Sequence, residues 1–320
     1  MNIISERGLR AIIEGLCDGQ ADTKSLLRTI KLLPEKIRIE AILICSQKML
    51  GRDMEVFWEI ANLLFPSYWF VKLMCVSICN LRSMWSNFYV AALSAIDKMS
   101  IGYRSISYAT LSQSLVTISS LETHKLLNKA INLLPFSYEN LAGGSALITC
   151  RVLSEMNLGV IKYILALANT VSGLRLLDPA SKVDILVRIA LVAKRFNAEI
   201  LDLVVGRILS LIPKIDPIEL IDIEITVANL LSAIYYDREE ELVALGNNYS
   251  SEKIRRIIRY ALMKIMKTKH RDNVNSNLLM TSGYDILKEV QKALMRRAEL
   301  KKKISSELNR ILGNSNYNKN

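Results

Sequence analysis

The chain has 320 residues, 51% of them apolar, with 13 glycines, 6 prolines and a formal net charge of +11. So few turn-formers favour long helices, and strand-type alternation is hard to find. The most apolar run, Ile60 to Asn80, is interrupted by Pro66 and Lys72, which excludes a span of about 20 unbroken apolar residues.

Helix-length apolar stretches alternate with short breaks along most of the chain. The predicted pairs are 3–17 with 21–33, 35–50 with 53–64, 67–82 with 86–99, and 105–119 with 122–134. Two more follow, 137–155 with 157–175 and 180–195 with 198–212, and a seventh opens at Pro217 and continues past Tyr236 and Asp237. An apolar pair running into proline marks the boundaries: Leu32-Leu33-Pro34, Leu64-Phe65-Pro66, Leu133-Leu134-Pro135, Leu176-Leu177-Asp178-Pro179 and Leu211-Ile212-Pro213, the last followed by Pro217. A middle copy near Tyr103 has lost its proline. Pro34 to Pro217 is 183 residues, five repeats of about 37, the mark of stacked helical hairpins. Proline at these points suits the first turn of a helix. Asp53, Thr123, Asn157, Asn197 and Asp237 are the predicted caps at the other breaks. Gly143-Gly144, inside a helical pattern, is expected to allow close helix packing.

The predicted fold is all-α: an α-solenoid of about six to seven hairpins over 1–250, closed by a loop at 244–252, with a basic helical module over 251–320. That module is predicted to hold a helix from Lys253, a polar stretch at 268–280, and a last helix opened by Ser282 and Asp285 as a capping box. The helix runs to about Leu312, and an Asn-rich tail ends the chain. Charge divides at the same place. Residues 251–320 carry 17 basic and 6 acidic groups, whereas the other 250 residues hold 25 of each. A neutral array with a cationic end points to a polyanionic partner.

Little in the chain suggests chemistry. His124 and His270 are the only histidines, too few for a His-based metal site or a Ser–His triad. No glycine-rich phosphate loop is present, and Glu239-Glu240-Glu241 suits a solvated helix start. The expectation is a non-enzyme with no cofactor and no metal. Cys17, Cys45, Cys75, Cys79 and Cys150 lie in apolar stretches without framework spacing and read as reduced core thiols.

On a helical wheel from Lys253, the residues Ile254, Ile257, Ile258, Ala261, Leu262 and Ile265 share one arc. Lys253, Arg256, Arg259, Lys264, Lys267 and Arg271 lie opposite, with Tyr260 among them. The apolar arc is predicted to dock on the array, the cations to meet phosphates and the tyrosine to stack on a base. Lys292, Arg296, Arg297, Lys301, Lys302 and Lys303 form a second predicted patch on the last helix. A solvated face, or an acidic protein partner, is the competing reading of these cations.

The break Lys194-Arg195-Phe196-Asn197-Ala198-Glu199-Ile200 and the helix start Pro179-Ala180-Ser181-Lys182-Val183-Asp184-Ile185-Leu186, repeated at about 37 residues, resemble the heptatricopeptide and FASTK-like helical repeats, related to octotricopeptide arrays. The resemblance is strongest over 130–240. It implies an organellar RNA-binding protein, of a kind found in mitochondrial ribosomes of some parasites, with structured RNA (rRNA) and other subunits as partners. The RAP domain that often ends such proteins is not recognisable, and no regular base-reading positions of the pentatricopeptide type occur. The first 30 residues mix Glu6, Glu14, Asp18 and Asp22 with four basic groups, so neither a secretory signal nor an acid-poor leader is expected there. Mitochondrial placement follows from the resemblance; the cytoplasm or nucleus is the alternative. The alternative function is a HEAT-like scaffold for proteins alone.

Overall fold

A computed structural model describes residues 23–272 apart from 158, together with residue 15. Expectations for the first helix pair before residue 23, and for everything after 272, lie outside the described residues. The rest is helical, with no strand among the described residues. The helices are α1 (Thr23–Leu32), α2 (Glu35–Met49), α3 (Met54–Ala61), α4 (Tyr68–Asn80), α5 (Trp85–Lys98), α6 (Ile101–Leu115) and α7 (Ser120–Leu133). They continue as α8 (Glu139–Glu155), α9 (Ile161–Gly173), α10 (Pro179–Ala193), α11 (Ala198–Leu211), α12 (Pro217–Ile234), α13 (Glu239–Asn247) and α14 (Glu252–Asp272). The expected helix pairs from 21 to 212 match α1 to α11 in order, with ends displaced by up to four residues.

Local chemistry explains the boundaries. The side chains of Asp53, Ser67, Ser119, Asp178, Asn197 and Asp216 each accept a backbone N–H in the first turn of the helix that follows. Asp53 and Asn197 cap as expected. Thr123 does not: it is buried inside α7, where its hydroxyl donates to the Ser119 carbonyl. Asn157 precedes α9 by several residues, and Asp237 sits in a turn ahead of Arg238, which occupies the cap position of α13. Prolines also divide. Pro179 and Pro217 occupy first turns, whereas Pro135 and Pro213 lie in short 3-10 turns that finish the preceding helix. Pro34 is at the cap position of α2, and Pro66 follows a cis peptide bond. A ring with no N–H suits the end of one helix as well as the start of the next.

The described chain falls into two compact units, the first ending at Ile208 and the second beginning at Leu209, within α11. In the first, packing joins each helix to its neighbour or next-but-one in sequence: α4 to α5 and α6, α6 to α7 and α8, α8 to α10. Short links leave helices little choice of partner. Phe57, Phe70 and Phe88 are fully buried, and Phe57 meets Phe88 edge-on at 5.8 Å. Helix α6 is buried on nearly every side because Ser105, Ser107, Ala109, Ser112 and Ser114 are small. Their hydroxyls need partners inside an apolar core. Ser105 Oγ donates to the Ala130 carbonyl at 2.8 Å, so its single proton is used and Ser145 Oγ must donate to it at 2.7 Å. This bond pair links α6, α7 and α8; each such bond contributes about 1 kcal/mol.

The close approach expected at Gly143-Gly144 is found elsewhere. A Cβ at Gly144 would stand 3.5 Å from Ile106, an ordinary contact, but one at Gly102 would fall 2.4 Å from the Tyr138 ring. Tyr138 N also donates to the Gly102 carbonyl, and its ring packs edge-on against Tyr103 at 5.2 Å. The thiols divide as well. Cys75 and Cys150 are buried, their pKa values pushed up to about 12 by desolvation. Cys79 is exposed, and Cys45 is disulfide-bonded, so the expectation of reduced core thiols fails at both. Pairing depends on which Cβ atoms the fold brings together, which spacing along the chain does not encode.

His124 stacks on Tyr163 with centroids 5.4 Å apart, and its Nδ1 is buried without a partner. Gly159, at φ +69°, leaves room for the ring: a Cβ there would lie 3.1 Å from His124 Cε1. Burial first, and then Lys162, hold the imidazole pKa below its ordinary value.

Two outcomes follow. Gly102→Ala lowers stability by about 1–2 kcal/mol in the native background, because the Tyr138 ring must move. In a Tyr138→Ala background the same change raises stability by about 1 kcal/mol, the helix-propensity gain; urea melts of the four variants check the sign reversal. The depressed His124 pKa gives the neutral ring a stabilising contribution present above the unfolded-state pKa of about 6.5 and lost as pH falls through the folded value. The thermal midpoint therefore drops between pH 7.5 and 5, and drops less in His124→Gln.

Candidate nucleic-acid interface

Helix α14 carries the described part of the predicted cationic surface. Its sequence places isoleucines one turn apart between charges, so one stripe is apolar and the remainder polar. The stripe docks as expected: Ile254, Ile257, Ile258, Ala261 and Ile265 are buried, while Leu262 is half-buried. It packs on α12 and α13, and on the Ile212–Lys214 turn, within the second unit. The expected loop at 244–252 shrinks to residues 248–251, because α13 runs to Asn247.

The opposite face is not a uniform row of solvated cations. Arg256 grips Glu224 of α12 with Nε 3.1 Å from both carboxylate oxygens and Nη2 on Oε1. Glu224 is 6% exposed, so its charge is desolvated and needs this partner. The Glu224 hydrogen bonds hold the Arg256 guanidinium above its usual pKa, against desolvation. Lys253 Nζ donates to the Ile215 carbonyl at 3.2 Å. Arg259 pairs with Glu252 two turns earlier on the same helix, and Lys264 Nζ donates to Asn229 Oδ1 at 2.6 Å. Lys267 is exposed, with no hydrogen bond or ion pair among the described residues. Tyr260 is half-buried beside Arg256.

Of the sequence-predicted cations, α14 thus brings together Lys253, Arg256, Arg259, Lys264 and Lys267. The Arg271 side chain, and Lys292, Arg296, Arg297, Lys301, Lys302 and Lys303, lie outside the described residues. Two further cations were not selected by the helical wheel. Arg255 turns back to donate to the Tyr249 and Ser250 carbonyls, at 3.2 and 2.7 Å, beyond the end of α13. Lys269 pairs with Glu239 at 2.5 Å and lies 5.3 Å from the centroid of Tyr236. That bond raises the Lys269 pKa and lowers that of Glu239, at a solvated surface. One sequence signal was available: Glu224 stands between Ile223 and Ile225 in an apolar helix, and a carboxylate on a core-facing stripe implies a cation reaching in.

Among the described residues, no group of three or more His, Cys, Asp or Glu side chains could hold a metal ion, and no helix is long and apolar enough to cross a membrane. No protein-family model matches the chain, and no curated protein or solved structure is significantly similar to it.

Arg256→Ala leaves Glu224 buried and unpaired. A fully buried pair broken this way costs about 3–5 kcal/mol; with the Arg256 side chain 41% exposed, water reaches the site and a loss of about 2 kcal/mol is expected. Replacing both partners, as Glu224→Leu with Arg256→Met, restores most of it. Chemical denaturation of the single and double variants measures the difference.

Proposed function

We propose that this protein is a non-catalytic helical scaffold that holds structured RNA by its phosphate backbone through the basic C-terminal segment. The proposed architecture is an α-solenoid of about six to seven hairpins with a period near 37 residues. One observation supports the RNA reading above others: the internal pairing of α14 does not use up its charge. Residues 252–272 contain eight Lys and Arg, and among the described residues they form ion pairs with Glu224, Glu239 and Glu252. A net positive face remains, and the following 48 residues add nine basic groups against four acidic. Such a surplus attracts a polyanion and releases its counterions on contact.

Within this reading the cations divide by role. Arg256 and Lys253 anchor the helix. Arg259, Lys264 and Lys267, which are exposed, are the described phosphate contacts, with Tyr260 as a stacking ring on the same face. Arg271, Lys292, Arg296, Arg297, Lys301, Lys302 and Lys303 extend the surface. The resemblance to heptatricopeptide and FASTK-like repeats sets the proposed context as an organellar ribonucleoprotein such as a mitochondrial ribosome, with rRNA and neighbouring subunits as partners.

A protein-only, HEAT-like scaffold is the second reading. It is favoured by apolar side chains left in water at the starts of alternate helices: Trp69 on α4, Ile101 on α6 and Tyr138 at the cap position of α8. Such side chains are a resource for contact with other subunits. The two readings differ in salt dependence. Fluorescence anisotropy with an RNA hairpin from 50 to 200 mM KCl should give a steep loss of affinity. The triple variant Arg259→Ala, Lys264→Ala, Lys267→Ala should flatten the log–log slope by about two to three. Absence of binding at the lowest salt would leave the protein scaffold.

A further inference from the structure

A second surface, on the first unit, was not marked by the sequence. Helices α8 and α10 pack side by side and leave between them a groove of ≈ 410 Å³. Helical spacing sets its two walls. On α8, Leu147, Arg151 and Ser154 recur one turn apart; on α10, Arg188 and Leu191 do the same. Leu147 is 38% and Leu191 49% exposed, large aliphatic side chains left in water. Arg151 and Arg188 are also exposed, and neither guanidinium makes an ion pair or hydrogen bond among the described residues. No carboxylate lines the groove. Arg195 Nη1 donates to the carbonyl of Ser154, one of the lining residues, at 2.5 Å.

These features specify a ligand. Two unpaired guanidiniums flanking an aliphatic floor complement a segment that offers carboxylates beside branched aliphatic side chains. An amphipathic acidic helix has that composition on one face, with glutamates and leucines at i, i+3 and i+4. Nucleic acid fits less well, because the groove presents no aromatic ring on which a base could stack. We propose that the α8–α10 groove docks an acidic, leucine-rich amphipathic segment of a partner protein. Arg151 and Arg188 receive its carboxylates, while Leu147 and Leu191 bury its leucines. This surface is independent of α14, so the chain has separate places for a protein and for a polyanion.

The test uses the full-length chain and two fluorescein-labelled 16-residue peptides, one with Glu and Leu at helical spacing and one with every Glu replaced by Lys. The acidic peptide is expected to bind at least tenfold more tightly than its basic counterpart. Arg151→Ala with Arg188→Ala, and separately Leu147→Ser with Leu191→Ser, should each weaken that binding tenfold or more. The α14 triple variant should bind the peptide as the native chain does. Because any loss could reflect misfolding, charge reversal supplies a gain: Arg151→Glu with Arg188→Glu should shift preference toward the basic peptide. Equal affinity for both peptides, no binding at 100 μM peptide (an affinity scale of about 5 kcal/mol), or insensitivity to the groove substitutions would overturn the proposal. So would an RNA hairpin that displaces the peptide from the native chain and loses affinity in Arg151→Ala with Arg188→Ala, since the groove would then be a nucleic-acid site.

Discussion

A carboxylate taken out of water must be met by a cation, and in the second unit that requirement organises the surface. Glu224 lies on the buried side of α12, so α14 has to dock with Arg256 over it. Burial of the isoleucine stripe supplies most of the attraction between these helices, but it is nearly indifferent to small slides along the axis. A bidentate ion pair is not. The pair therefore fixes which of the α14 cations face inward and which remain for a ligand, and the charge surplus becomes a patterned surface instead of a diffuse one.

The first unit meets a different constraint with the same economy. Its most buried helix, α6, carries four serines and one alanine, small residues that let four neighbours approach. Of the hydroxyls so buried, Ser112 and Ser114 donate to local carbonyls, Ser107 to Met99 Sδ, and Ser105 to the Ala130 carbonyl while accepting from Ser145. Gly102 carries the principle furthest, because its missing side chain is the space in which the Tyr138 ring lies. Close packing here exposes as well as buries: Tyr103 and Tyr138, packed edge-on against one another, remain open to water.

Much of the fold was legible because it is local. Apolar spacing of 3.6 residues, capping side chains and proline breaks act over a few residues, and they located α1 to α11 with ends displaced by at most four residues. Errors arose where two residues compete for one local role. Ser119 took the cap position that Thr123 was expected to hold, and prolines at Pro135 and Pro213 served the end of a helix instead of its beginning. The α14 amphipathicity was equally visible, since it too is a property of spacing.

What the sequence by itself determined is therefore the helical class, the order of helices, the apolar stripe of α14 and the concentration of positive charge toward one end. What only the tertiary structure decided is pairing. That Arg256 meets Glu224 across 32 residues, that Cys45 is oxidised while Cys75 is not, and that Arg151 and Arg188 flank one groove all depend on how helices approach in space. Spacing along a chain fixes which face of a helix a residue occupies, whereas the distance between two faces is set by the packing of everything between them.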